Sequence, residues 1–139
     1  PTGSVKKVGE GYMQEFQDGI LTRNSDGSNQ VVHGAIGAKY KDMGGAESAL
    51  GFPTSGENAV NGGFFQTFEK GSIYWSPKTG AHYILKSKIM DRWGQAGWEQ
   101  GEFGWPTSDY SEIAAGGLSQ EFQHGKISEV LGQVRTEKK

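Results

Sequence analysis

The feature that most constrains this chain is that it repeats. Gly11-Tyr12-Met13-Gln14-Glu15-Phe16-Gln17-Asp18-Gly19 returns as Gly63-Phe64-Phe65-Gln66-Thr67-Phe68-Glu69-Lys70-Gly71, then as Gly117-Leu118-Ser119-Gln120-Glu121-Phe122-Gln123-His124-Gly125, at spacings of 52 and 54 residues. Leu50-Gly51-Phe52-Pro53-Thr54-Ser55 returns 53 residues later as Phe103-Gly104-Trp105-Pro106-Thr107-Ser108. Between these elements Ile36, Tyr40 and Gly44 correspond to Ile89, Trp93 and Gly97. Three collinear matches at one period settle the organisation before any single motif is weighed, because each unit of such a repeat buries its apolar face only against its neighbours. The 139 residues therefore form a single repeat domain. Its first unit covers about 9–58, its second about 61–111, half of a third about 115–131, and a solvated C-terminal tail 132–139.

Within a unit the composition favours strands. There are 23 glycines and 4 prolines, hydrophobic residues make up 34% and aromatics 12%, and the mean hydropathy is -0.62. Such a chain is dense in turns, and its core must draw on aromatic rings, which disfavours a helical bundle. Asp18-Gly19, Lys70-Gly71 and His124-Gly125 read as two-residue hairpin loops of type I′. That placement sets Phe16 opposite Leu21, Phe68 opposite Ile73 and Phe122 opposite Ile127. Alternation puts Tyr12, Gln14 and Phe16 on one face, as it does Phe64, Gln66, Phe68 and Leu118, Gln120, Phe122, with a mostly polar face opposite. A glutamine between two apolar neighbours on a buried face calls for an amide that reaches a backbone group or a partner. Pro77-Lys78-Thr79-Gly80 is a turn signal before a strand at 81–85. Ile36, Tyr40 and Met43, like Ile89, Trp93 and Ala96, share one face of a helix of about two turns. Ser87 is its expected N-cap, and Gly44 and Gly97 are its expected left-handed terminators. A helix that short is held only by packing of Tyr40 or Trp93.

Leu50-Gly51-Phe52-Pro53 resembles the name-giving tetrapeptide of the LGFP repeat family, and Phe103-Gly104-Trp105-Pro106 is similar to its common variant. The threefold Gln-x-Phe-x-x-Gly hairpin, Gly80-Ala81-His82 and Ile89-Met90-Asp91-Arg92-Trp93 extend the resemblance over nearly the whole chain. It implies a non-catalytic module found in surface proteins of actinobacteria whose envelope carries mycolic acids. There it is similar to a C-terminal region that attaches mycolyltransferases, esterases and amidases to the arabinogalactan–peptidoglycan wall. It also implies a mainly β fold with short helices, in a propeller-like array whose larger members close a ring of about five units. The 2.5 units counted here would be a partial ring, so the resemblance leads to an expectation of homo-oligomers, two chains together completing the ring. Asn29 stands where the second unit has His82, so any role of that histidine is supported once only.

The remaining chemistry is judged on charge and spacing. Fourteen Lys and Arg against sixteen Asp and Glu give a net charge of -2, without the basic stripe that binding to nucleic acid needs. No apolar run approaches the roughly 20 residues of a membrane span, and the start at Pro1 reads as a processed or excised chain. Without cysteine there is no disulfide, thiol nucleophile or Cys-ligated zinc. The acids do not recur: Tyr110 matches Glu57, and Gly56 matches Asp109, so no pair is singled out for glycoside hydrolysis. His33, His82 and His124 occupy different parts of the unit, and Gly-x-Ser-x-Gly is absent. No enzyme activity and no cofactor is expected. Asn24-Ser25-Asp26-Gly27-Ser28-Asn29 carries one carboxylate and reads as a turn joining two strands, so no metal is expected either.

A glycan site needs aromatic faces and a few convergent polar groups. Trp75, Trp98, Trp105, Tyr74, Tyr83 and Tyr110 are the candidate faces, with Gln66, Glu57, Asp109, His82 and Arg92 as polar partners. Phe16, Phe68, Phe122 and Trp93 recur in register and read as core. Trp98 matches Gly45 and Trp75 matches Arg23, so the repeat demands neither tryptophan. The expected partner is a cell-wall polysaccharide or another glycan, and the expected location is secreted, at the cell wall or cell surface. Two rival readings are a soluble lectin-like protein and a structural or protein-interaction repeat with no glycan site.

Overall fold

A computed structural model of the chain describes residues 5–16, 19–24, 27, 29–60, 62–113 and 117–138. Residues 25, 26 and 28 of the Asn24–Asn29 loop and Asp18 of the first hairpin turn lie outside the described residues. Three four-stranded antiparallel sheets follow one another along the chain. The first holds β1 (Lys6–Val8), β2 (Gly11–Phe16), β3 (Gly19–Arg23) and β4 (Asn29–His33). The second holds β5 (Asn58–Val60), β6 (Gly63–Phe68), β7 (Gly71–Ser76) and β8 (Gly80–Leu85). The third holds β9 (Ser111–Ile113), β10 (Gly117–Phe122), β11 (Gly125–Val130) and β12 (Gln133–Lys138). Helix α1 (Gly34–Met43) leaves the first sheet and α2 (Lys88–Gln95) the second. Among the described residues the three sheets form no closed ring.

The helices end as their sequences require. Ser87 is extended and its Oγ accepts the Met90 N–H at 3.3 Å. Gly44 (φ 112°) and Gly97 (φ 108°) terminate the two units' helical segments in the left-handed region. Ile36 and Tyr40, and likewise Ile89 and Trp93, are fully buried.

The hairpin register differs from the expectation by two residues. Phe68 pairs with Gly71 and Gln66 with Ile73, just as Phe16 pairs with Gly19 and Phe122 with Gly125. The turn in the second unit is Glu69-Lys70, and its glycine is the first residue of the returning strand. Glycine is required there by close approach, since φ is not positive at Gly19, Gly71 or Gly125. A Cβ on Gly71 would run into the Ile84 carbonyl and lie 2.9 Å from Leu50 Cδ2.

The tail also differs. Residues 133–138 form β12, which pairs with β11 along its whole length, from Val130↔Gln133 to Gly125↔Lys138. Its side chains are exposed except for half-buried Val134, so no apolar alternation announces the strand. The third unit thus contributes a complete sheet.

The sheets are buried on both faces where they have neighbours on both sides. One core joins Met13, Ile20, Val32, Ile36 and Tyr40 of the first unit to Leu50, Phe68 and Ile73. A second joins Tyr74, Ile84, Ile89 and Trp93 to Phe103, Trp105, Phe122 and Ile127. Ile73 and Tyr74, adjacent in β7, therefore face different cores. The face opposite Gln66, expected to be polar, carries Phe65, Tyr74 and Ile84. Tyr74 stacks on Phe65 at 5.1 Å. Among the described residues no preceding sheet covers the glutamine face of the first sheet, where Tyr12 (44%), Leu21 (37%) and Val31 (50%) are exposed.

Candidate functional site

The strongest sequence motif turns out to be a latch between units. Helix aromatics of one unit meet the hairpin phenylalanine of the next, Tyr40 on Phe68 at 4.8 Å and Trp93 on Phe122 at 5.1 Å. The polar tip of each then donates to the glycine of the following tetrapeptide: Tyr40 Oη to the Gly51 carbonyl at 2.7 Å, Trp93 Nε1 to the Gly104 carbonyl at 3.0 Å. Both glycines are left-handed, at φ 78° and 76°. Beyond them the Phe52 N–H donates to Glu69 Oε1 at 2.9 Å and the Trp105 N–H to Gln123 Oε1 at 3.1 Å. Pro53 and Pro106 then bridge to Phe68 and Phe122.

The buried glutamines complete the latch. Gln66 Nε2 donates to the Val31 carbonyl of the preceding sheet (3.1 Å) and to Ser55 O (2.9 Å). Gln120 Nε2 donates to the equivalent carbonyls of Tyr83 and Ser108. Both Oε1 atoms lack a partner among the described residues. The amide expected to reach a backbone group is thus found at Gln66 and Gln120 through its NH2 alone, and it works between units.

A polar cluster ties the first two units together at Asp109. Its carboxylate pairs with Lys39 of α1 and with His82 Nδ1 at 3.2 Å, and accepts the Tyr83 N–H at 3.4 Å. The other ring nitrogen of His82 faces the Thr79 carbonyl at 2.7 Å. Tyr83 donates its hydroxyl to the Tyr110 carbonyl at 3.0 Å and lies beneath the Lys39 ammonium. Burial, reinforced by the Asp109 and Tyr110 charges, pushes the Tyr83 phenol above its ordinary value. His82, Tyr83 and Asp109 are therefore brought together, with Lys39 as a partner that sequence reasoning missed because it lies 70 residues away. Each is already engaged by protein, which makes the cluster structural glue.

Two of the aromatic candidates are corrected by burial. Tyr74 is 6% and Trp105 8% exposed. They meet edge to face at 6.0 Å inside the second core, where no ligand reaches them, and burial holds the Tyr74 phenol well above its ordinary value. Arg92 pairs with Glu102 at 3.6 Å and lies over Phe103, and Glu102, hydrogen-bonded first of all to Lys138, is held below the usual carboxylate range.

Trp75 and Trp98 remain on the surface, at separate places. Trp98 is 42% exposed and adopts φ 60°, matching Gly45 at φ 64° in the first unit. It meets Trp93 edge-on at 5.5 Å. Trp75 is half-buried on β7 and stacks on Phe64 of β6 at 5.9 Å, 27° from parallel. These two rings line a cleft of about 190 Å³ with His33, Gly34, Ala35, Ile36 and Glu57. No group of three or more His, Asp or Glu able to hold a metal occurs among the described residues. No described helix is long and apolar enough to cross a membrane.

No curated protein matches the chain. The LGFP repeat model matches residues 1–48 and 50–101, two copies that take in the first latch and the first core and end before the Phe103–Pro106 tetrapeptide of the second. LGFP repeats are non-catalytic, cell-wall-associated modules. The chain belongs to the LGFP repeat family.

Proposed function

We propose that this chain is a non-catalytic anchor that binds a cell-wall polysaccharide of the arabinogalactan–peptidoglycan type outside the cell. The observation that carries this reading is the match of two LGFP repeats over residues 1–48 and 50–101. It is supported by aromatic surface that neither latch uses, at Phe64, Trp75 and Trp98. The polymer is held by contact alone, and no bond is made or broken. The test is co-sedimentation with purified actinobacterial wall before and after removal of arabinogalactan. Sedimentation with intact wall only is expected. Protein that stays in the supernatant with both materials overturns the reading.

A second reading concerns assembly, and its specific observation is the open glutamine face of the first sheet. Ile73 and Ile127, at the position of Leu21 in the two covered sheets, are fully buried, whereas Leu21 and its strand neighbour Val31 are exposed. An apolar row at a position that elsewhere forms a unit interface is a docking surface. A second copy of the chain seats there, extending the array toward a propeller-like ring; two chains bring together six sheets, not the five units expected. Size-exclusion chromatography with light scattering is expected to show a species larger than one chain, converted to monomer by Leu21→Lys with Val31→Lys. A wild-type monomer at all concentrations overturns this second reading.

A further inference from the structure

We propose that the cleft between the first and second units is a subsite for a single neutral sugar ring, stacked on Trp75 and Phe64 and hydrogen-bonded to Glu57. This rests on the glycan-binding reading above and gives it a location. The cleft is lined by the buried Ile36 and by Gly34 and Ala35 at the start of α1. One wall is the cross-strand pair Phe64↔Trp75, an aromatic surface suited to the C–H face of a sugar. Opposite it stands Glu57, half-buried, whose carboxylate has neither a hydrogen bond nor an ion pair among the described residues. Its carboxylate is thus open to a ligand in the cleft, and vicinal hydroxyls supply two donors in the geometry it accepts. No Lys or Arg lines the cleft, which disfavours phosphate and carboxylate ligands. At about 190 Å³ it falls below the range of sites for drug-sized ligands, and one ring of a longer polymer suits it.

The other junction differs at the residues that line the cleft. Tyr110 occupies the position of Glu57, Ser87 that of Gly34 and Glu129 that of Trp75. Tyr110 is half-buried, and burial first of all, with the Glu129 charge adding to it, pushes its phenol above the ordinary value. A bulky aromatic side chain packed against the second core thus stands at the equivalent place. In the first junction a shorter side chain at position 57 leaves that space open, and a tryptophan lines it.

The experiment measures binding of the full chain to purified wall, and tryptophan fluorescence on titration with the soluble polysaccharide fragments that mild acid releases from that wall. Trp75→Ala and Glu57→Tyr are each expected to weaken binding about tenfold or more, and Glu57→Gln several-fold. Glu57→Tyr copies the side chain that the second junction accommodates, so it closes the cleft in a folded protein, checked by far-UV circular dichroism. Wild-type affinity in both Glu57→Tyr and Trp75→Ala overturns the subsite and leaves wall binding standing. Failure of the wild-type protein to bind either wall or fragments overturns both.

Discussion

Replacing Gln66 with alanine tests whether the repeating glutamine is a tie between units. Its amide is fully buried and donates to Val31 O at 3.1 Å and Ser55 O at 2.9 Å. Each intramolecular hydrogen bond is worth about 0.5–1.5 kcal/mol net, and a buried acceptor left bare costs about 1–3 kcal/mol. Truncation also leaves a cavity beside Phe68 and Ile73. Against these losses, removal of the partnerless Oε1 relieves part of a desolvation cost. The net expectation is a loss of about 2–3 kcal/mol. Gln14→Ala, on the open face where the side chain is half-buried, is expected to cost under about 1 kcal/mol by the same reasoning. Urea unfolding followed by circular dichroism reads both as shifts in midpoint at constant slope. Equal losses at positions 14 and 66, or a loss below about 0.5 kcal/mol at 66, would refute the inter-unit role.

Three further outcomes follow from the geometry. Gly71→Ala is expected to lose about 1–3 kcal/mol through overpacking against Ile84 and Leu50, although its φ suits alanine; an unchanged urea midpoint would contradict the close-approach argument. Trp98→Gly is expected to change stability by less than about 1 kcal/mol in the same assay, since relief of the left-handed backbone at φ 60° offsets the lost edge contact with Trp93; a loss above about 2 kcal/mol would mean the ring is needed for packing. Tyr40 and Tyr74 carry phenol pKa values raised above the ordinary 10.0, chiefly by burial. The unfolded chain therefore gives up these protons first, and stability is full below about pH 10 and falls as pH rises beyond it. Each tyrosine contributes up to about 1.4 kcal/mol per pH unit there. Thermal melts between pH 8 and 11.5 that show no such decline would refute the assignment.

Much of the architecture was legible because a repeat is a local pattern that is written out more than once. The helix faces of Ile36–Tyr40 and Ile89–Trp93, the Ser87 cap and the glycine terminators depend on residues within a turn or two of each other. Hairpins at three places and the buried glutamine amide were also readable from alternation. The hairpin register was not, because the glycine's job is set by the Ile84 carbonyl and Leu50, residues distant in sequence from Gly71. Strand β12 escaped notice since an edge strand with exposed side chains has no apolar period to betray it.

The candidate site divides along the same physical line. That Trp75 and Trp98 stand apart from the repeat is visible in the sequence, because their counterparts are Arg23 and Gly45. Composition could not separate them from Tyr74 and Trp105, which are equally aromatic yet lie in the second core. Burial is decided by what the neighbouring unit places on top of a residue, and here that neighbour begins some 50 residues away along the chain. The order of units, their turns and their apolar faces are short-range properties, carried by side chains near one another in the chain. Which carbonyl Gln66 reaches, why Asp109 holds Lys39, and whether a tryptophan ends in a core or beside a cleft arise only when one sheet stacks on the next. Packing and hydrogen bonding across that junction join residues whose separation in sequence hides them from one another.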